Sequence, residues 1–341
     1  MIRDHLAGPL KGLSLPIHIC NTEKHPCRHP LIVWHDLPNI TSKDLIPIDD
    51  GLFVTSPCRT VFDLAAGESL GSILKLMTEM CGLYSLVPKS EYLSKAFYRI
   101  QADEPYGVNN RGLASFYDAT GKMFPFTNKE DEPSPWCPCG SSMQSSSFWK
   151  RPPICSAEEF LGYGRFIDGY RGSKLFQTAA ELVSPGSASP FETIISALIG
   201  PSRRRGQEGL PHFWLNRQVA IPNEMTSLAK SDALTPDIGW FSERDNKLIH
   251  CCEADGAEFH TRESTYDAKR QVYRDAARRA VYEHLGIHTT IITYPQVSDL
   301  EQWDMLLDVI YKQLKIKRPK PTVTFLKKRE LLHRDLMAPG L

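Results

Sequence analysis

The chain has 341 residues, 41% of them apolar and 23% charged, with 40 basic and 40 acidic residues that leave no net charge. That balance belongs to a globular protein with room for one large domain or two modest ones, and it excludes a uniformly cationic chain that coats nucleic acid by charge alone. No apolar run approaches the ~20 residues of a membrane span. The opening Met1-Ile-Arg-Asp-His5 lacks a secretory core, and the nine cysteines are odd in number and scattered, with Cys251 and Cys252 adjacent. A cytoplasmic chain with reduced thiols and no membrane contact is therefore expected.

Residues 1–120 read as a smaller, mostly helical α+β domain. Strands are predicted at residues 31–34 and 51–55. Ser56-Pro57 then supplies a cap and a proline at the first helical position, and the helix runs to Gly67. Leu70, Ile73, Leu74, Leu76 and Met77 give the next helix its apolar face, with Gly82 as the stop. Weaker helical patterns cover residues 90–100 and 112–117. Residues 121–184 read as a connector or insertion, partly irregular: Asn128-Lys-Glu-Asp-Glu-Pro-Ser-Pro135 and Ser145-Ser-Ser147 are rich in turn formers, and only residues 174–182 show helical periodicity.

Ser189-Pro190 opens the last domain, residues 185–320, ahead of a basic tail at 321–341. Helix is expected at 191–198, strands at 216–221, 235–241 and 247–254, a long helix at 264–285 closed by Gly286, a strand at 288–294 and a helix at 300–314. The fold class is α/β, with a C-terminal mixed sheet flanked by helices.

The chemistry is carried by carboxylates in that domain. Asp237 stands at the start of one strand, and Glu253-Ala-Asp255 closes the next. Residues i and i+2 of a strand share a face, so Glu253 and Asp255 project together, and a hairpin brings Asp237 beside Glu253. Such a cluster demands a cation. Mg²⁺, with Mn²⁺ as a substitute, takes carboxylate oxygens while keeping waters that can attack a phosphodiester. Glu192 on the preceding helix is a further ligand or support, and His260 is a proton donor or acceptor. On the long helix Arg270, Arg274 and Arg278 recur every fourth residue, with Lys269 beside them, forming a basic stripe suited to DNA. Val272, Ala276 and Ala280 are expected to pack on the sheet. Cys20, His25, Cys27 and His29, and Cys137, Cys139 and Cys155, lack the paired spacing of a zinc site.

In order, Ser-Pro-Phe-Glu192, Gly-Leu-Pro211, Leu-Asn216, Pro-Asp237-Ile-Gly-Trp240, Cys-Glu253-Ala-Asp255-Gly-Ala-Glu-Phe-His260, Asp275-Ala-Ala-Arg278-Arg279 and Gly286 resemble a group of uncharacterised bacterial proteins. That group is related to the very-short-patch-repair endonucleases of the PD-(D/E)XK nuclease superfamily. The resemblance implies a restriction-endonuclease-like α/β core, Mg²⁺ dependence and DNA cleavage. It points to Glu192, Asp237, Glu253 and His260 as site positions, with Asp275 and Arg278 as helix positions of the motif; of these, Asp237 and Glu253 are the residues expected to bind the metal. Asp255 stands where the superfamily has lysine, a departure that the group itself tends to share. The segment from Leu37-Pro38 through Gly51-Leu-Phe-Val-Thr-Ser-Pro-Cys-Arg-Thr-Val-Phe-Asp-Leu-Ala65 more weakly resembles AbiEi-type antitoxin proteins. Two functions follow from these residues. One is a Mg²⁺-dependent DNA endonuclease of defence or repair. The other is a non-catalytic, antitoxin-like regulator that keeps the nuclease fold to bind DNA or a protein partner.

Overall fold

A computed structural model of the chain describes residues 17–21, 32–36, 40–49, 52–86, 137–138, 148–150, 153–255 and 265–338. The chain divides into two compact units, residues 1–59 with 86–149, and residues 60–85 with 150–341. In the first unit, β1 (Ile17–Asn21) pairs in parallel with β2 (Ile32–Asp36), and β3 (Leu45–Asp49) pairs antiparallel with β4 (Leu52–Thr55). The helical patterns expected at 90–100 and 112–117 lie outside the described residues.

Helix α1 (Pro57–Ala65) begins at the expected proline, and α2 (Leu70–Met80) is capped by Ser69, whose hydroxyl accepts the Ser72 N–H. From Thr60 onward these helices belong to the second unit, where they pack with two more, α3 (Ala157–Phe166) and α4 (Ser173–Leu182). Phe62, Phe160, Tyr163 and Phe176 meet edge-on or tilted with ring centroids 5.7–6.3 Å apart. The later part of the segment expected as a connector is thus helical and carries core residues. Helix α4 falls where helical periodicity is expected at 174–182, whereas α3 is a ten-residue helix in a stretch expected to be irregular.

The mixed sheet of the second unit is built from β5 (Trp214–Leu215), β8 (Ile238–Phe241), β9 (Leu248–Asp255) and β10 (His288–Thr293), in the order β10-β9-β8-β5. Strand β10 runs parallel to β9, and the other neighbours are antiparallel. Between β5 and β8 a separate ribbon of β6 (Val219–Ala220) and β7 (Ala233–Leu234) flanks helix α6 (Asn223–Ala229). Of the strand expected at 216–221 only Val219–Ala220 is formed, and β5 ends just before it at Leu215. Asn216 breaks the pleat because its backbone sits in the left-handed region, at φ 50°.

Helices cover both faces, as expected for this α/β class. One face buries Ile238, Trp240, Cys252 and Ile292 against α5 (Pro190–Ile199) and, after a short α8 (Tyr294–Ser298), α9 (Leu300–Gln313), through Phe191, Ile195, Leu198, Trp303, Leu307 and Ile310. The other buries Leu248 and Cys251 with Val281, Tyr282 and Ile287 of α7 (Thr265–His284) and the turn after it. Each such aliphatic or aromatic side chain contributes roughly 1.5–3 kcal/mol on leaving water. Gly286, at φ 69°, closes α7 as expected. Ala276 and Ala280, expected to pack on the sheet, are exposed; Val281 and Tyr282 face it instead. The helix is rotated so that its larger apolar and aromatic side chains are buried.

The last segment is not a basic tail. It forms α10 (Val323–Met337), capped by Thr322, and buries Phe325, Arg329, Leu332, His333 and Leu336. Gly71 lets α2 approach it closely, since a Cβ there would lie 2.5 Å from the Asp335 Cβ. Arg329 donates to the buried Glu208 at 2.6 Å and to both oxygens of Asp304, and Trp303 also donates to Glu208. The apolar face that carries these contacts was masked in the sequence by the lysines and arginines interleaved with it.

Candidate functional site

The carboxylates expected to cluster do so because of strand register. Ile238 faces Cys252 on β9 and Leu215 on β5. One step toward the strand end, Asp237 falls opposite Glu253 on one side and Asn216 on the other, and the Asn216 N–H donates to the Asp237 carbonyl at 3.1 Å. Residues directly opposite in an antiparallel pair have Cβ atoms about 4.5–5.5 Å apart. The side chains of Asn216, Asp237 and Glu253 therefore form a row across three neighbouring strands.

Glu192 joins from α5. Its helix starts at Ser189, whose hydroxyl accepts the Glu192 N–H, and the Glu192 carboxylate accepts the Ala188 N–H at 2.7 Å and the Asn216 side-chain amide at 2.6 Å. Beneath this turn, Thr193 bonds the Tyr84 and Ser187 hydroxyls, each at 2.9 Å, which fixes the start of the helix. Asn216 also donates to the Gly186 carbonyl, so the residue that ends β5 ties α5 to the row. An asparagine suits this position because it tolerates the left-handed backbone while its amide reaches two acceptors.

From the opposite face, α7 presents Arg278 and Tyr282, four residues apart and so on one side of the helix. Arg278 Nη2 donates to both oxygens of Glu253, at 2.9 and 3.0 Å, and to the Thr235 carbonyl, while the Tyr282 hydroxyl donates to Glu253 at 3.1 Å. Asp237 accepts the Ala254 N–H at 2.7 Å.

The electrostatics follow from this crowding. Burial pushes the Glu253 carboxyl up to about 7 and the charge of Asp237 adds to it, while Arg278 and Tyr282 pull it back. Glu192 is also raised to about 7, by burial first and Asp237 second. Asp237 is raised by burial, against the Ala254 N–H and Arg278, and Asp275 adds a like charge. One guanidinium faces more negative charge than it can cancel.

Among the expected site residues, then, Glu192, Asp237, Glu253 and Arg278 come together. Asp255 lies exposed at the end of β9, on the same strand face as Glu253. His260 and Gly256 lie outside the described residues, as do the side chains of Lys269, Arg270 and Arg274 on α7. Asn216 and Tyr282 also contribute, and as uncharged side chains neither stands out from its sequence surroundings. Asn216 stood inside a matched motif, and the helical spacing from Arg278 to Tyr282 was the other available signal. The side chains of the Cys20–His29 and Cys137–Cys139 groups lie outside the described residues, and Cys155 is buried with its thiol donating to the Ser156 carbonyl.

Hard oxygen donors side by side are of the kind that could hold Mg²⁺ or Mn²⁺, with Asp237 and Glu253 as the residues that would bind it. Among the described residues, no three His, Cys, Asp or Glu side chains are grouped so as to hold an ion by themselves. A cleft of about 340 Å³ lined by Arg203, Asp304, Arg318, Phe325 and Arg329 shares no residue with the row. Its arginines are already engaged: Arg318 and Arg329 by Asp304 and Glu208, and Arg203 by the Glu208 carbonyl and the Phe325 ring. No helix among the described residues is long and apolar enough to cross a membrane. Compared with family models, curated proteins and solved structures, the chain matches none.

Proposed function

We propose that the chain is a metal-dependent nuclease that hydrolyses phosphodiester bonds of DNA in the cytoplasm, in defence against foreign DNA or in repair. The observation that carries this is the row Glu192, Asn216, Asp237 and Glu253, in which burial first and the charge of Asp237 second raise two of the carboxyls to about 7. Keeping several carboxylates together against their repulsion costs stability, and a site that receives a cation recovers it. Asp237 and Glu253 would hold Mg²⁺, which when bound neutralises charge and acidifies a coordinated water. Tyr282 and Arg278 fix the Glu253 carboxylate from the helix side, and Asn216 fixes Glu192. Asp255 adds negative charge at the open end of the strand, and His260, five residues further on, is assigned the proton transfer.

A second function is favoured by one contact. Arg278 holds both oxygens of Glu253, which partly neutralises the cluster from within. On that basis the domain is a non-catalytic, antitoxin-like module that binds DNA or a protein partner. Incubating plasmid and linear DNA with the protein in Mg²⁺, Mn²⁺ or EDTA separates the two. The nuclease predicts metal-dependent nicking or cutting that Asp237→Ala abolishes, and identical behaviour of wild type and variant on every substrate would leave the regulatory module.

A further inference from the structure

Beside the carboxylate row lies a group of planar side chains that the proposed chemistry leaves unused. Trp214 is 48% exposed on β5, which is the edge strand of the sheet. The Arg217 guanidinium sits over the Trp214 ring at 4.9 Å and over the Phe241 ring at 4.3 Å, and the His212 ring meets Trp214 edge-on at 5.1 Å. Among the described residues no carboxylate pairs with Arg217, and its guanidinium is presented to two aromatic faces. Trp214 lies directly opposite Gly239, two residues from Asp237 and therefore on the same sheet face, about 7 Å along the strand. Gly239 has no side chain to stand between them, and a Cβ there would press on Leu248 and Phe241.

We propose that Trp214, Arg217 and His212 form a stacking platform for an unpaired base of a DNA strand whose phosphate lies at the Asp237–Glu253 row. This deepens the nuclease function and rests on it for the placement of the phosphate. A base inside a duplex offers only its edge to a protein surface, whereas an unpaired base offers a whole face. An exposed indole backed by a guanidinium stacks on any such face, and the positive charge of Arg217 favours the nearby phosphates. The substrate class is therefore DNA with a single-stranded or unpaired stretch at the site, in preference to continuous duplex.

Binding is read without cleavage by fluorescence anisotropy in EDTA, using a labelled oligothymidine and a blunt duplex of the same length. The platform predicts tighter binding of the single strand. Trp214→Ala weakens it about tenfold or more, Arg217→Ala weakens it as well, and Trp214→Phe stays within about threefold of wild type. Circular dichroism of each variant, with duplex affinity unchanged, separates lost stacking from lost fold. Equal single-strand binding by wild type and Trp214→Ala would overturn the proposal, as would single-strand binding no tighter than duplex binding. In the latter case the exposed rings remain for a protein partner. A Trp214-dependent single-strand signal together with no metal-dependent cleavage would keep the platform and remove the nuclease. Asp237-dependent cleavage with binding indifferent to Trp214 would do the reverse.

Discussion

Replacing Asp237 by Asn removes one charge from the carboxylate row while keeping an oxygen for the Ala254 N–H. Glu253 is held at about 7 against an ordinary 4.5. A folded-state pKa above the unfolded value means that the native protein takes up protons. The stability tied to that carboxyl is full below the ordinary pKa and is lost as pH rises through about 7, a loss of about 3 kcal/mol for a shift of this size. Glu192 follows the same direction for the same reasons. Two charges about 5 Å apart repel by roughly 3 kcal/mol at an effective dielectric of about 20, and the partial exposure of Glu253 reduces this to about 1–2 kcal/mol. Asp237→Asn therefore raises the melting temperature of the metal-free protein at about pH 8 by roughly 2–6 °C, and changes it little at about pH 5, where Glu192 and Glu253 are protonated and no longer repel the residue at 237. Excess Mg²⁺ then stabilises the wild type at the higher pH and leaves the variant where it was. Scanning calorimetry at both pH values, with EDTA and with Mg²⁺, reads all of these. A variant that melts at or below the wild type at about pH 8 in EDTA would refute the crowding of like charges.

Arg329→Leu strands the buried Glu208 carboxylate and is expected to cost about 3–5 kcal/mol in urea unfolding; adding Glu208→Leu should recover much of that, since a buried pair replaced by apolar groups is close to neutral. Asn216→Ala loses the bonds to Glu192 and Gly186 and forces a Cβ-bearing residue with no compensating side chain into the left-handed region. It should cost about 2 kcal/mol, with Asn216→Gly recovering only the backbone part, as measured by thermal unfolding. Tyr282→Phe removes one donor to Glu253, and in the DNA assay should lower the metal-dependent cleavage rate by up to about tenfold without changing the fold.

Much of the second unit was legible in the sequence because its elements announce themselves through caps and periodicity. Ser189-Pro190 opens α5, Gly286 ends α7, and the β-branched run of β10 reads as strand. The pairing of Asp237 with Glu253 followed from alternation once a hairpin was assumed, and the register gives it. Asn216 was harder, because its left-handed backbone ends the ladder where a strand is expected to begin, and its role depends on a helix 24 positions away in sequence. The inward face of α7 was misassigned because small alanines mimic an apolar stripe, whereas packing selects Val281 and Tyr282. The buried face of α10 was hidden by its charge: Arg329 looks like surface in sequence and becomes core only when Glu208, 121 residues earlier, meets it.

Mn²⁺ titration of EDTA-stripped protein above pH 7, followed by calorimetry, tests most directly whether the Asp237–Glu253 row is a metal site. One saturable site per chain is predicted for the wild type, weakened at least about tenfold in both Asp237→Asn and Glu253→Gln. Absence of binding by the wild type, or binding by either variant as tight as that of the wild type, would contradict it.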